Sequence, residues 1–63
     1  MPILTIKLME GRTQEQKRKL VDSVTRAVSD SVGVPIDRVR IHLLEMEKEN
    51  YAIGGRLIAD LDD

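Results

Sequence analysis

The spacing of apolar positions changes period twice along the chain. Over ILTIKLM, residues 3–9, apolar and polar positions alternate: Leu4, Ile6 and Leu8 share one face, and Ile3, Thr5, Lys7 and Met9 share the other. A period of two with β-branched residues predicts a strand, and the following EGR (Glu10 to Arg12) predicts a turn. From Thr13 the period becomes helical, and Leu20, Val24, Ala27, Val28 and Val32 form one apolar stripe. Thr13 with Gln16 three residues later is a capping-box pattern. Gly33 suits the residue after a helix, and Pro35 stops any continuation. PIDR (35–38) reads as a short connection. The period of two returns over VRIHLLEM, residues 39–46, with Val39, Ile41 and Leu43 on one face and Arg40, His42 and Leu44 on the other. EKEN (47–50) is polar and loop-like. In YAIGGRLIADL (51–61) the Gly54–Gly55 pair predicts a hairpin or bulge.

The order strand, helix, strand, hairpin predicts a single α/β (α+β) domain over residues 1–63. It is one β-α-β unit with a short C-terminal β-hairpin. The crossover helix makes the two long strands parallel neighbours with a right-handed connection. Two strands under one helix are not an independent fold. Their second face still carries Ile3, Met9 and Leu44. The expectation is therefore that dimerisation edge to edge completes a four-stranded sheet, and that further copies cover its open face.

Composition strengthens this. A chain of 63 residues buries only about 60% of its unfolded surface, so it needs disulfides, a metal or partners. There is no cysteine and only one histidine, His42. Disulfides and thiolate sites are excluded, no metal site is expected, and oligomerisation is left. The absence of Phe and Trp leaves a small aliphatic core, which again favours sharing apolar surface. Ten Lys+Arg against 11 Asp+Glu, with no basic block, gives no reason to expect a nucleic-acid partner. No apolar stretch approaches membrane-spanning length and no signal segment is visible. The expectation is a soluble, cytoplasmic protein.

Pro2 has two readings. Proline lacks the N–H that a sheet ladder needs and is tolerated at a strand's first residue. Alternatively, removal of Met1, usual before a small residue, would free Pro2 as a secondary amine that is both base and nucleophile. The rest of the chain favours the second reading. Pro2, the EGR at 10–12 followed by a Thr cap and EQK at 15–17, VR at 39–40, EM at 45–46 and IGG at 53–55 together resemble the 4-oxalocrotonate tautomerase (2-hydroxymuconate tautomerase) family of the tautomerase superfamily. The resemblance covers essentially the whole chain.

The resemblance implies an isomerase that moves a proton along a conjugated dicarboxylate such as 2-hydroxymuconate, in the catabolism of aromatic hydrocarbons. It implies a homohexamer built as a trimer of dimers, a site shared between subunits, and no cofactor. Pro2 would be the catalytic base, Arg12 would hold one carboxylate, and Arg40 would meet the other end where enolate charge develops. This chemistry is sound for these residue types. A proton shuttle works best with a pKa near the working pH. An ordinary α-amino group titrates at about 7.7–8.0, and a secondary amine in water lies higher. Neighbouring guanidinium charge and an apolar wall both disfavour the ammonium form and bring it down. Ile3, Leu4, Met9 and Tyr51 are the wall candidates, with Tyr51 and Met9 expected to contact substrate. Guanidinium binds a carboxylate in a bidentate fork that lysine cannot copy. One donor well placed on developing oxyanion charge contributes roughly 3–4 kcal/mol.

One departure and one alternative bear on the substrate. Tyr51 stands where the family more often has phenylalanine, which adds a hydroxyl donor to the wall. The related haloacrylate dehalogenases add a glutamate that activates water. That glutamate would fall at Ile53, so the sequence disfavours a water-adding enzyme. A non-catalytic oligomeric binding module is the third alternative. His42, without an identifiable carboxylate partner, reads as a packing or interface residue. Asp60, Asp62 and Asp63 read as a solvated end.

Overall fold

The computed structural model describes residues 1–61; the acidic end expected at Asp62 and Asp63 lies outside them. Strand β1 (Ile3–Met9) is followed by helix α1 (Gln14–Val32), strand β2 (Arg40–Met46), the short strands β3 (Ala52–Ile53) and β4 (Arg56–Leu57), and one turn of helix, α2 (Ile58–Leu61). β1 and β2 pair in parallel from Ile3 opposite Arg40 to Met9 opposite Met46. β3 and β4 form a separate antiparallel pair. The protein is thus a small α+β fold with a β-α-β arrangement and short C-terminal strands.

Local chemistry accounts for the ends of α1. The Gln16 N–H donates to Thr13 Oγ1 at 3.1 Å, and the Thr13 N–H donates to Gln16 Oε1 at 2.9 Å. This reciprocal cap satisfies two otherwise unpaired donors. Gly33 ends the helix in the left-handed conformation, φ 72°, ψ 40°, with its N–H on the Ser29 carbonyl. The Gly54–Gly55 pair has φ of 61° and 85°, the positive values that a two-residue type I′ hairpin loop requires.

The alternation in β1 and β2 has the expected sense. Leu4, Ile6, Leu8, Ile41 and Leu43 are half-buried, while Ile3, Thr5, Lys7, Arg40, His42 and Leu44 are exposed; Met9, expected on the open face with Ile3, is instead half-buried at the end of β1. The stripe on α1 needs correcting. Leu20, Val24 and Val28 are half-buried as expected, but so are Val21, Thr25 and Ser29, whereas Ala27 and Val32 are exposed. The helix face is rotated toward residues 21 and 25. Its end also outruns the sheet: 19 residues of helix rise about 29 Å, against about 23 Å for seven residues of strand. Three further elements were not expected. The connection at 35–38 contains a 3-10 turn, Ile36–Arg38; a second, Lys48–Asn50, lies within the polar loop; and the hairpin runs into α2. β2 starts one residue later than its pattern predicts, because Val39 closes the first 3-10 turn through its N–H to the Ile36 carbonyl.

Among the described residues none is fully buried within the single chain, and Ile3 remains 74% exposed. The radius of gyration is 14.8 Å, well above the about 10.6 Å expected of a compact domain of this length. Residues 48–61 contribute to this extension, because their turn, hairpin and α2 pack mainly on one another.

Candidate active site

The parallel register brings two of the candidate residues together. Pro2 is half-buried just ahead of β1, and its carbonyl accepts the N–H of Arg40 at 3.0 Å. Arg40 opens β2 opposite Ile3, and its Nη1 donates to the carbonyl of Asp37 at 3.1 Å. That bond uses one of five guanidinium donors and leaves most of the fork available. The 3-10 turn Ile36–Arg38 fixes where Arg40 begins the strand and supplies the carbonyl that steadies it.

Arg12 lies at the other end of the molecule. Seven steps of extended strand separate Pro2 from Met9, about 23 Å, and Arg12 follows beyond the turn. The backbone there is tied down on both sides. The Glu10 N–H donates to the Met46 carbonyl at 2.9 Å, Glu10 Oε2 accepts the Lys48 N–H at 3.3 Å, and Thr13 starts the capping box. Gly11 between them has φ 110°, a region that L side chains rarely adopt. The Arg12 side chain is exposed and, among the described residues, makes no ion pair or side-chain hydrogen bond. It lines a shallow pocket of about 240 Å³ with Leu8, Gln16, Lys17 and Leu20.

Met9 is half-buried opposite Met46, at the Arg12 end of the sheet. Tyr51 is 42% exposed and follows the 3-10 turn that Glu10 tethers. The wall expected around Pro2 is therefore not assembled within one chain. Leu4 belongs to the half-buried set under α1, Met9 lies at the far end, and of the four only Ile3 adjoins Pro2 on the open face. Within one chain the candidate residues fall into two groups, Pro2 with Arg40 at one end of the sheet and Arg12 with Met9 at the other. His42 lies on the open face opposite Thr5.

Sequence reasoning missed Lys17 and Glu45. Lys17 Nζ and Glu45 Oε1 form an ion pair of 2.7 Å between α1 and β2. A signal was present: Glu45 shares strand parity with Ile41 and Leu43, and Lys17 lies one helical turn before Leu20. Opposite charges at inward positions of two elements expected to pack together predict a pair.

Residues 2–61 match the family described as tautomerase enzyme. A 2-hydroxymuconate tautomerase of Bacillus subtilis is 42% identical over 62 residues, 98% of this chain and all of that protein. Among solved structures, a 4-oxalocrotonate tautomerase isozyme from Methylibium petroleiphilum is 40% identical with a TM-score of 0.91, covering 95% of this chain and 94% of that one. A heterohexameric 4-oxalocrotonate tautomerase from Chloroflexus aurantiacus is 33% identical with a TM-score of 0.91, covering 97% and 98%. With the family match spanning nearly the whole chain and the fold shared along its length, the protein belongs to the tautomerase family.

Proposed function

We propose that the protein is an isomerase that interconverts the enol and keto forms of an unsaturated dicarboxylate such as 2-hydroxymuconate, with Pro2, freed by removal of Met1, as the general base. While Met1 is attached the Pro2 nitrogen is a tertiary amide with no basic lone pair. Once free, it takes the proton from the dienol and returns it to carbon, and nothing is oxidised or reduced. Arg40 stands beside it to receive the developing enolate charge. Arg12 holds the distal carboxylate, and Met9 and Tyr51 supply apolar wall. No cofactor takes part. The observation that supports this reading is the backbone hydrogen bond from the Arg40 N–H to the Pro2 carbonyl at 3.0 Å, which makes the two residues neighbours at the strand start.

The distance to Arg12 adds a condition. One chain cannot bring Arg12 to its own Pro2, so Arg12 comes from another copy. A homohexamer, a trimer of dimers with the sheet completed across the dimer, fits this need. A cytoplasmic location accords with the cysteine-free chain. Ile53, where a water-activating glutamate would be required, favours tautomerisation over the dehalogenase alternative. The non-catalytic binding module would need neither Pro2 nor a shared site.

Subunit mixing tests the reading. Pro2→Ala and Arg12→Ala homo-oligomers should each ketonise 2-hydroxymuconate poorly. After co-refolding, sites that combine the intact Pro2 of one chain with the intact Arg12 of another should recover part of the activity. Mixed oligomers that stay as inactive as their parents would mean that the two residues do not meet across subunits. A Pro2→Ala protein with a free N-terminus and near-normal turnover would remove the mechanism altogether.

A further inference from the structure

The pocket beside Arg12 holds two cations but not two net charges. Arg12 has no anionic partner among the described residues, whereas the Lys17 ammonium is 2.7 Å from the Glu45 carboxylate. Neither member of that pair is freely solvated, with side chains 28% and 39% exposed, so solvent screens the pair less than it would a fully exposed one. The remaining lining is uncharged. Leu8 and Leu20 are aliphatic, and Gln16 commits its carbonyl oxygen to the Thr13 cap. Glu45 thus cancels one of the two positive charges without lining the pocket itself.

We infer that Glu45 sets the charge of the Arg12 pocket: by binding Lys17 it leaves the net charge of a single guanidinium, which matches the end of a substrate bearing one carboxylate rather than a dianionic group such as a phosphate monoester. The inference rests on the proposed role of Arg12 in holding a carboxylate. Glu45 is a specificity-determining residue that acts through Lys17 and touches no reacting atom. The physical basis is simple addition of charge. Two cations and one anion give one net positive charge. Removal of the anion gives two, removal of Lys17 gives none, and removal of both restores one.

That pattern of signs distinguishes tuning from structural support. The probe is adipate, a saturated six-carbon dicarboxylate, and the measurement is its inhibition constant against the processed oligomer at low ionic strength. Glu45→Gln should lower its inhibition constant about two- to fivefold, the size expected for one partly exposed charge. Lys17→Gln should raise it by a similar factor, and the double variant should return near the parent value. Glu45→Asp, with a shorter reach to Lys17, should fall between parent and Glu45→Gln. Raising the salt to about 1 M should compress all these differences, because the Debye length falls to about 3 Å. If the pair only braces α1 against β2, both single substitutions weaken adipate and the double is no better, which overturns the inference. An unchanged inhibition constant in Glu45→Gln overturns it as well. Arg12→Ala separates the two levels. If it leaves adipate binding intact, the carboxylate role of Arg12 fails and takes this inference with it. If it weakens adipate while Glu45→Gln does not tighten it, only the charge-setting role fails.

Discussion

The β1–α1–β2 unit and the C-terminal arm after Glu47 are held by different means. In the first, each element is fastened to another. β1 and β2 share seven paired positions, Thr13 and Gln16 cap the helix reciprocally, Lys17 joins Glu45 across the two layers, and the Glu10 N–H extends the ladder to Met46. In the arm, strands of two residues each fold back through two glycines, and the Ile58 N–H reaches only as far as the Tyr51 carbonyl at 2.8 Å. One link to the rest is the hydrogen bond from the Lys48 N–H to Glu10 Oε2 at 3.3 Å. Tyr51, Ile53, Leu57 and Leu61 are left 42%, 57%, 38% and 41% exposed. A hairpin this short is not stable by itself. The difference shows where one chain is self-sufficient and where it is not. The first region positions residues against its own neighbours, and the arm carries apolar surface suited to another copy in the proposed assembly.

The strongest way to break this comparison is to place a charge on the arm. Ile53→Asp should prevent assembly, and with it activity, if copies of the chain cover residues 51–61. Sedimentation at micromolar concentration reads the result, and a variant with the parent's mass and turnover would show that the arm is not an interface. Next in size is Pro2→Ala, which belongs to the self-sufficient region. It should lower turnover of 2-hydroxymuconate by about 10²-fold or more, the usual contribution of a general base, while leaving the assembly intact. In the parent, kcat/KM should fall as the pH drops, because protonation removes the lone pair, and nearby guanidinium groups should set that fall below the pKa of a free secondary amine. The smallest effect sharpens the contrast. Thr13→Ala removes one member of the helix cap and should cost about 1 kcal/mol in chemical denaturation, with the arm untouched.

Much of the first region was legible because short-range rules govern it. The alternation, which holds over 3–8 and 40–44 of the expected 3–9 and 39–46, the Thr13–Gln16 cap and the Gly33 stop each involve residues within a few positions of one another, and each recurs in the structure. Ala27 and Val32 were misplaced because a stripe drawn from periodicity alone does not know how wide or how long the surface beneath it is. Helix α2 has four residues, too few for any period to register, and the two 3-10 turns are shorter still. The candidate site was legible as residue types but not as a place. Pro2 and Arg40 meet because of strand register. The separation of Arg12 follows from the strand direction and the reach of seven extended residues, and on the proposed reading the completion of the site depends on a second molecule. No pattern within one chain encodes that last step. Lys17 and Glu45 could have been paired by their parity, once the helix was laid on the sheet.

The hydrogen bond from the Arg40 N–H to the Pro2 carbonyl also bears on how the protein matures. The ladder begins at the carbonyl of Pro2 and makes no use of the nitrogen, which cannot donate while it is acylated. Cleavage after Met1 therefore removes no strand pairing. A preparation that retains Met1, or carries an affinity tag in its place, should show the same circular dichroism and the same thermal transition as the trimmed protein, yet be silent toward substrate on the proposed chemistry. Specific activity in this protein would then report the fraction of chains that have been trimmed, and intact mass would have to accompany every rate.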